Sequence, residues 1–559
     1  MNSAFDINMA VLSNEDLKQK LCSMSFEEAS KDFNCFVTKC GDYALAKKNF
    51  PYDDIENPAQ SVIDTCKECI KSNPQKNDFI VIYGLGLGYI LDEVYTRYPS
   101  RIFVYEPDIQ VIRFVMENVD LSHILADKRV YITNDCADCC KKIGEQYLSH
   151  DNIDIVYLKN YGLIKPQELI KLSNSLFNTC KARITDINVI RQISKNWVEN
   201  IIKNIELTPY ITPFYNLDSS VKEGTALILS AGPSLKDNID KIKQHREKFT
   251  IFASGRALKT LFEKSIVPDF AVFADAICAT DFTTLPSEYL SKIVYVSDIK
   301  SDYKLSELKW ANKLFYFANN SDFVNKISKK HDITQYPAVG TSALNALVCA
   351  SQMGFKKIAF CGLDLAFKGD IVYCDNTKLE TTNNQCFINN VKISKTLVKS
   401  VTGEMVPTRE DYASFIPQCE HNLKMINEDV DIYNITDFGA YIRGLKYTTF
   451  EAILPDTDSI NTTELISKTR FDKLTLRNDL ETEIDALNEI KELFLTGDIN
   501  YTKIYTLKKS ALISEYTRFD LLELVQGEFT KEHLEAFVSN VIKSVDDVKQ
   551  MILENLVKV

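Results

Sequence analysis

The chain has 559 residues, 45% hydrophobic and 25% charged, with a formal net charge of −12. That length suits three or four ordinary domains, and that balance a globular protein. The acidic character argues against a nucleic-acid partner, whose readers carry a basic field, and no apolar run approaches the ~18 residues of a membrane helix. The first residues, MNSAFDINMAVLSNEDLKQKL, lack a basic segment followed by an apolar one, so they do not read as a secretion signal, and the expected location is the cytoplasm. The fifteen cysteines are then expected as free thiols. Two CxxC pairs, Cys66/Cys69 and Cys136/Cys139 with Cys140 adjacent, lie in helix-like sequence without Gly-rich knuckles, so no metal is assigned to them.

Residues 1–75 are polar, with an aromatic patch at Phe33, Phe36, Tyr43, Phe50 and Tyr52, and read as an N-terminal helical cap. Residues 76–165 alternate strands and helices. Asp78–Tyr83 is a buried strand running into Gly84-Leu-Gly86-Leu-Gly88 and a helix from Tyr89; Arg101–Tyr105 is the next strand, ending on Glu106. That spacing resembles the nucleotide-binding turn of Rossmann-like methyltransferases, where glycines admit the cofactor and the carboxylate takes ribose hydroxyls. Gly84, Gly86, Gly88 and Glu106 are therefore a candidate second nucleotide turn; the plain alternative is glycines that only make a tight turn. Residues 166–220 read as a helical connector, with Leu169, Leu172, Leu176, Ile184, Ile187, Ile190 and Ile193 at helical spacing until Pro209 and Pro213 interrupt it.

Residues 221–450 form the predicted central domain. The apolar run Ala226–Leu229 stops at Ser230-Ala231-Gly232-Pro233, and a helix follows from Ser234, with Asp237 as its capping-box partner. A second strand, Thr250–Ala253, meets Ser254-Gly255-Arg256, and a third, Phe270–Ala274, ends on Asp275. This is half of a doubly wound parallel sheet, in which ligands bind where strands end and helices begin. Strands at Ile293–Val296 and Lys313–Phe317 follow. Gly340-Thr341-Ser342 then opens a helix over Ala343–Met353, and the strand Lys357–Cys361 runs into Gly362-Leu363-Asp364. Residues 368–400 read as a polar excursion, Thr408–Met425 as a helix and Val430–Tyr433 as a late strand. Residues 451–559 are charged and helical, a C-terminal bundle for packing, oligomerisation or partner binding. The fold class is α/β: an N-terminal Rossmann-like domain, a central doubly wound domain and a C-terminal helical bundle.

The segments LILSAGPSLKDNIDKI, ALKTLFEKSIVPDFAVFADA, VGTSALNALVCASQMGFKKIAFCGLDLAF and YNITDFGAYIRG closely resemble the motility associated factor (Maf) flagellin glycosyltransferases. The resemblance implies a transferase that moves a nonulosonic acid, of pseudaminic or legionaminic type, from a CMP-activated donor to Ser or Thr of flagellin. The same segments are distantly similar to bacterial sialyltransferases, which use CMP-sialic acid and need no metal. By those motifs Ala231, Gly232, Pro233 and Ser234 border the nucleotide, Ser254 and Gly255 stand where that family has an asparagine, and Gly340, Thr341 and Ser342 hold the cytidine part. Gly362 and Asp364 lie on the turn below it, and Tyr373 supplies a hydroxyl to the donor phosphate. The histidine base of the sialyltransferases has no counterpart in Thr408-Arg409-Glu410-Asp411.

Transfer needs a stabilised leaving group and a base for the acceptor hydroxyl. The helix starts at Ser234 and Ser342, with Tyr373 and Arg256, answer the first need. Asp275, Asp364 and Asp411 are candidates for the second, in that order, and Asp275 and Asp364, at strand ends, have the alternative of capping the next turn. A competing resemblance, to an archaeal pterin diphosphokinase, would make Asp275 and Asp364 ligands of Mg²⁺ in pyrophosphate transfer from ATP. A third reading is a non-catalytic flagellin-binding chaperone.

Overall fold

The computed structural model describes residues 3–556 apart from positions 49, 148–150, 279–281, 283, 376–395, 427–428, 469–475, 496–505 and 518–530. Most of the polar excursion foreseen at 368–400 thus lies outside the described residues. The chain clusters into two compact units, Met1–Asn188 and Val189–Val559. The boundary falls inside one helix, Pro166–Leu207.

In the first unit the segment expected to be a helical cap also carries a three-stranded antiparallel sheet, β1 (Phe33–Val37), β2 (Tyr43–Lys47) and β3 (Phe50–Pro51). The aromatic patch is the reason: Phe33, Phe36, Tyr43 and Phe50 are strand residues, and aromatic side chains favour the pleated, half-buried surface. A four-stranded parallel sheet follows, in the order β6 (Val130–Thr133), β5 (Arg101–Tyr105), β4 (Phe79–Tyr83), β7 (Ile153–Tyr157). β4 is buried along its whole length, as a strand covered on both faces must be.

The second unit is built on a nine-stranded sheet, parallel throughout. Its order is β18 (Lys446–Tyr447), β17 (Asp431–Ile435), β14 (Lys357–Cys361), β9 (Thr225–Leu229), β10 (Thr250–Ser254), β11 (Phe270–Phe273), β12 (Val294–Asp298), β13 (Asn312–Tyr316), β8 (Thr212–Pro213). β9 starts in the middle. The chain winds outward through β10 to β13, then returns as β14 on the other side of β9. A hairpin, β15 (Thr396–Lys399) and β16 (Met405–Thr408), stands apart.

Alternate residues of each central strand enter different cores. Leu227, Leu229, Ile251 and Ala253 join one cluster, which also takes in Leu480, Leu487, Val541 and Val548 of the C-terminal helices. Ala226, Ile228, Phe252 and Phe270 join the other, with Leu344 and Leu347. This period-two division explains why the strands read as unbroken apolar runs.

Five helices matter for the site. They are α1 (Pro166–Leu207), α2 (Pro233–Gln244), α3 (Leu258–Glu263), α4 (Ser342–Met353) and α5 (Glu410–Lys424). Among the described residues no helix is long and apolar enough to cross a membrane.

Candidate functional site

The turn after β9 is where a phosphate was expected, and the protein occupies it with its own groups. α2 begins at Pro233 with Gly232 as its cap residue, and no side chain of the turn caps it. The capping carboxylate comes from beyond β14: Asp364 Oδ2 accepts the Ser234 amide at 2.8 Å. Ser234 Oγ in turn accepts the Gly362 amide at 3.0 Å, and the Gly232 amide donates to the Gly362 carbonyl at 2.9 Å. The predicted Ser234–Asp237 capping box is therefore not formed; Asp237 instead pairs with Lys368 at 2.7 Å. Gly232 is a glycine because a side chain there would strike the Gly362 carbonyl and the Asp364 carboxylate.

Asp364, the second candidate base, caps α2 through one of its two oxygens. It is buried, its Oδ2 serves the first turn of α2, and burial pushes its carboxyl up to about 6 against the Ser234 and Thr436 donors. Asp411, the third candidate, accepts Nε (2.9 Å) and a terminal nitrogen of Arg409 on its two oxygens. Gly255 has a packing reason: a Cβ there would run into the ring of Phe273. Ser254 is buried at the end of β10, and Thr341 Oγ1 accepts the Leu344 amide at 3.2 Å as the cap of α4.

Asp275 differs. β10 and β11 pair in register, Ser254 opposite Val272, so Arg256 and Asp275 sit just past neighbouring strand ends. Surrounding protein raises the Asp275 carboxyl by desolvation, yet its side chain is exposed. Among the described residues the carboxylate takes no hydrogen bond and no ion pair, and its backbone carbonyl accepts the Asp302 amide at 3.1 Å.

A cationic and aromatic cluster closes over the end of β9. The Cys374 amide donates to the Ala231 carbonyl at 2.8 Å, which seats the Tyr373 loop, and Cys374 Sγ meets Thr260 Oγ1 of α3 at 3.3 Å. The Arg256 guanidinium lies 3.8 Å from the Tyr373 ring centroid. Arg409, buried, reaches the Tyr373 hydroxyl at 3.5 Å and stacks 4.2 Å from the ring of Tyr412 on α5. The same helix approaches Gly340, where a side chain would collide with Gln418. Ser342, half-buried at the first position of α4, has an unused hydroxyl among the described residues. Because α4 runs antiparallel to the strands, its N-terminus lies at their C-terminal ends, where anions are favoured.

Sequence reasoning missed Arg409 and Tyr412, although both flank the Asp411 it singled out. It also missed Asn200 and Asn204 on α1. These are polar residues four apart among the buried Val198, Ile201, Ile202 and Ile205, and that interruption of an apolar face is a readable signal.

A family model described as 6-hydroxymethylpterin diphosphokinase MptE-like matches residues 195–370, the stretch from α1 through β14 to the Asp364 turn and beyond. An uncharacterized protein of Treponema pallidum (strain Nichols) is 29% identical over 161 residues, 28% of this chain and 76% of that protein. The solved structure of MAf glycosyltransferase from Magnetospirillum magneticum AMB-1 has the same fold. It matches at a TM-score of 0.67 over 99% of this chain and 96% of its own, with 13% identity.

The turn at Gly84 is filled from within. Gly84 and Gly86 have positive φ, and a Cβ on Gly84 would lie 2.5 Å from the ring of Tyr161, while one on Gly86 would strike Asp53. Glu106 is buried, with Oε2 accepting the Leu85 amide (2.8 Å) and the Tyr161 hydroxyl (2.5 Å), and Oε1 accepting the Asp108 amide (2.8 Å). Tyr161 and Asp53 thus take the space and the donors that a nucleotide would need. A cavity of about 620 Å³ does open in this unit, but beside Tyr105, Asn134 and Lys165, and none of the three glycines lines it. Among the described residues no group of three metal-ligating side chains is assembled, around the CxxC pairs or elsewhere.

Proposed function

We propose that this chain is a glycosyltransferase that moves a nonulosonic acid from a CMP-activated donor to Ser or Thr of flagellin. The observation that carries the reading is the gathering of Arg256, Tyr373 and Arg409 at the C-terminal ends of the strands, with Asp275, unpartnered among the described residues, past the strand end next to that of Arg256. It stands on a fold shared over nearly the whole chain with the MAf glycosyltransferase. The four sequence segments resembling that family lie in the same domain.

The roles follow from the chemistry. The acceptor hydroxyl oxygen bonds to the anomeric carbon of the sugar as the bond from that carbon to the phosphate oxygen breaks, and CMP leaves with the bonding pair. Two guanidiniums, the Tyr373 hydroxyl and the helix start at Ser342 stabilise the phosphate as it gains charge. Asp275 takes the acceptor proton. Its raised pKa brings the carboxylate nearer to the working pH, which suits a general base. No histidine is required for this scheme.

The intact mass of flagellin, co-expressed with the sugar pathway with and without this protein, tests the reading. An added nonulosonic acid mass only in the presence of the protein supports it, and equal masses overturn it. CMP binding weakened by Ser342→Ala or Tyr373→Phe supports the site. Full activity in a Thr341→Ala, Ser342→Ala double variant would sink the site.

The MptE-like match favours a second reading, Mg-dependent pyrophosphate transfer. In that reading Asp275 and Asp364 would hold the metal, Asp364 through Oδ1, because its Oδ2 accepts the Ser234 amide. Magnesium-dependent consumption of ATP in the presence of a hydroxymethylpterin would decide for it. Flagellin that co-purifies without CMP binding would point to a non-catalytic partner protein.

A further inference from the structure

Asp275 has no side-chain partner among the described residues, so its position is set through the backbone that carries it. That backbone is held by α1. Asn200 Nδ2 donates to the carbonyl of Ala276, the residue after Asp275, at 2.9 Å, and to the carbonyl of Lys300, on the loop after β12, also at 2.9 Å. Asn200 Oδ1 accepts the Tyr303 amide at 3.3 Å. One turn later Asn204 Nδ2 donates to the carbonyls of Ile299 (2.8 Å) and Ser301 (2.9 Å), and its Oδ1 accepts the Ser306 hydroxyl at 3.0 Å.

Both side chains are buried, at 3% and 0% exposure, so these bonds do not compete with water. The two loops are also stitched to each other: the Asp302 amide donates to the Asp275 carbonyl at 3.1 Å, and the Cys278 amide to Asp302 Oδ2 at 2.9 Å. An asparagine amide supplies two donors and one acceptor in one plane. Aspartate would lack the donors and leucine would have neither. Four loop carbonyls would then be left buried without these partners.

We infer that Asn200 is a positioning residue for the proposed base, fixing the Asp275 loop against the loop after β12, with Asn204 holding the second loop rigid behind it. The pattern is functional in type because a well-packed helix has no need of polar residues on its inner face, and these two aim all their donors at the loops around one exposed carboxylate. The ionisable groups around Asp275 are Cys278 on its own loop, Arg256 past the end of β10, Asp298 at the end of β12, Lys300 and Asp302 on the loop after it, and Tyr316 on β13.

The rate readout of this inference rests on the transfer reading above, so two measurements are paired. In full-length protein, Asn200→Leu should lower kcat on the order of tenfold to a hundredfold, as expected for a misplaced reacting group. KM for the CMP donor should stay within about twofold, since the phosphate cluster is untouched, and the acid limb of the pH profile should move down as the loosened loop takes Asp275 away from the protein that desolvates it. Asn204→Leu should do the same more weakly. A loss that only tracks the folded fraction, with the acid limb unmoved, overturns the inference.

The second measurement needs no substrate: titration of the Asp275 carboxyl by ¹³C NMR of the full chain labelled at aspartate, assigned with Asp275→Asn. A midpoint lowered by Asn200→Leu supports the positioning role, and an unmoved midpoint overturns it. If Asn200→Leu does not fold, Asn200→Ser serves, since it removes the amide but leaves room for water. Absence of transfer by the wild type, with the midpoint still displaced, sinks the transfer reading alone.

Discussion

Both units present the C-terminal edge of a parallel sheet, the place where such folds bind ligands. They treat it in opposite ways. At Gly84 the protein brings in Tyr161, Asp53 and Glu106 and satisfies every donor of the turn that they reach. At the ends of β10 and β11 it leaves Asp275 exposed and, among the described residues, without a partner, with Arg256 past the neighbouring strand end. A glycine-rich turn therefore marks close approach, and what approaches can be the protein itself. The more informative sign of a site is polar capacity left unused.

The sharpest form of the comparison is between two aspartates that look alike in sequence, each just past a strand end. Asp275→Asn should lower transfer by about 10²–10⁴-fold, the contribution of a general base, with little change in melting temperature. Asp364→Ala should reverse the pattern. It leaves the first turn of α2 and the Gly232–Gly362 crossing without their anchor, costing about 1–3 kcal/mol in denaturant unfolding, as for a buried amide left unsatisfied. Equal loss of activity at both positions, with no difference in stability, would erase the distinction.

Next in size is the Gly84 turn. Gly84→Ala meets both a left-handed backbone, φ +89°, and the Tyr161 ring. Strain and overpacking together should cost about 2–4 kcal/mol. Gly88→Ala shares the left-handed backbone, φ +95°, but its nearest neighbour is Leu121 at 3.6 Å, so about 1–2 kcal/mol is expected. Neither should alter CMP binding. A change in CMP affinity from Gly84→Ala, at unchanged stability, would return a ligand to that turn. Smaller again, Tyr373→Phe removes one hydroxyl from the phosphate cluster and should weaken CMP about tenfold, the worth of a hydrogen bond to a charged group. Isothermal titration would read it.

These contrasts also show what the sequence could carry. Strands were legible to within about two residues, because Ala226–Leu229, Thr250–Ala253 and Lys357–Cys361 are apolar runs that two-sided burial demands. The start of α4 was legible from Thr341-Ser342, since capping chemistry is local. The roles of Asp275 and Asp364 were not separable, because what separates them is the Ser234 amide, 130 residues from Asp364 along the chain. The same holds for Gly84, whose space is taken by Tyr161. It holds again for Asn200 and Asn204, which read as two polar residues in a connector until their carbonyl partners, 76 to 100 residues on, are seen. Local chemistry is written locally; which polar group is already satisfied depends on contacts that only the fold makes.

The filled turn has a pH signature that the open edge should lack. Burial pushes the carboxyls of Asp53 and Glu106 up to about 7, against their amide and hydroxyl donors. In the unfolded chain both ionise near their ordinary values, about 4. Between about pH 4 and pH 7 the folded unit therefore holds more protons than the unfolded one, and its stability falls as pH rises through that window. Above about pH 7 the effect levels off. Glu106→Gln removes one of the two groups, so the decline of the N-terminal transition between pH 5 and pH 7 should flatten by on the order of 1–2 kcal/mol. Taking wild type minus variant cancels the carboxylates elsewhere. Urea midpoints measured at pH 5, 6, 7 and 8 provide the check. An unchanged slope would mean that Glu106 is ionised throughout, held by its three donors, and that the turn is satisfied as an anion site built from the protein's own carboxylate.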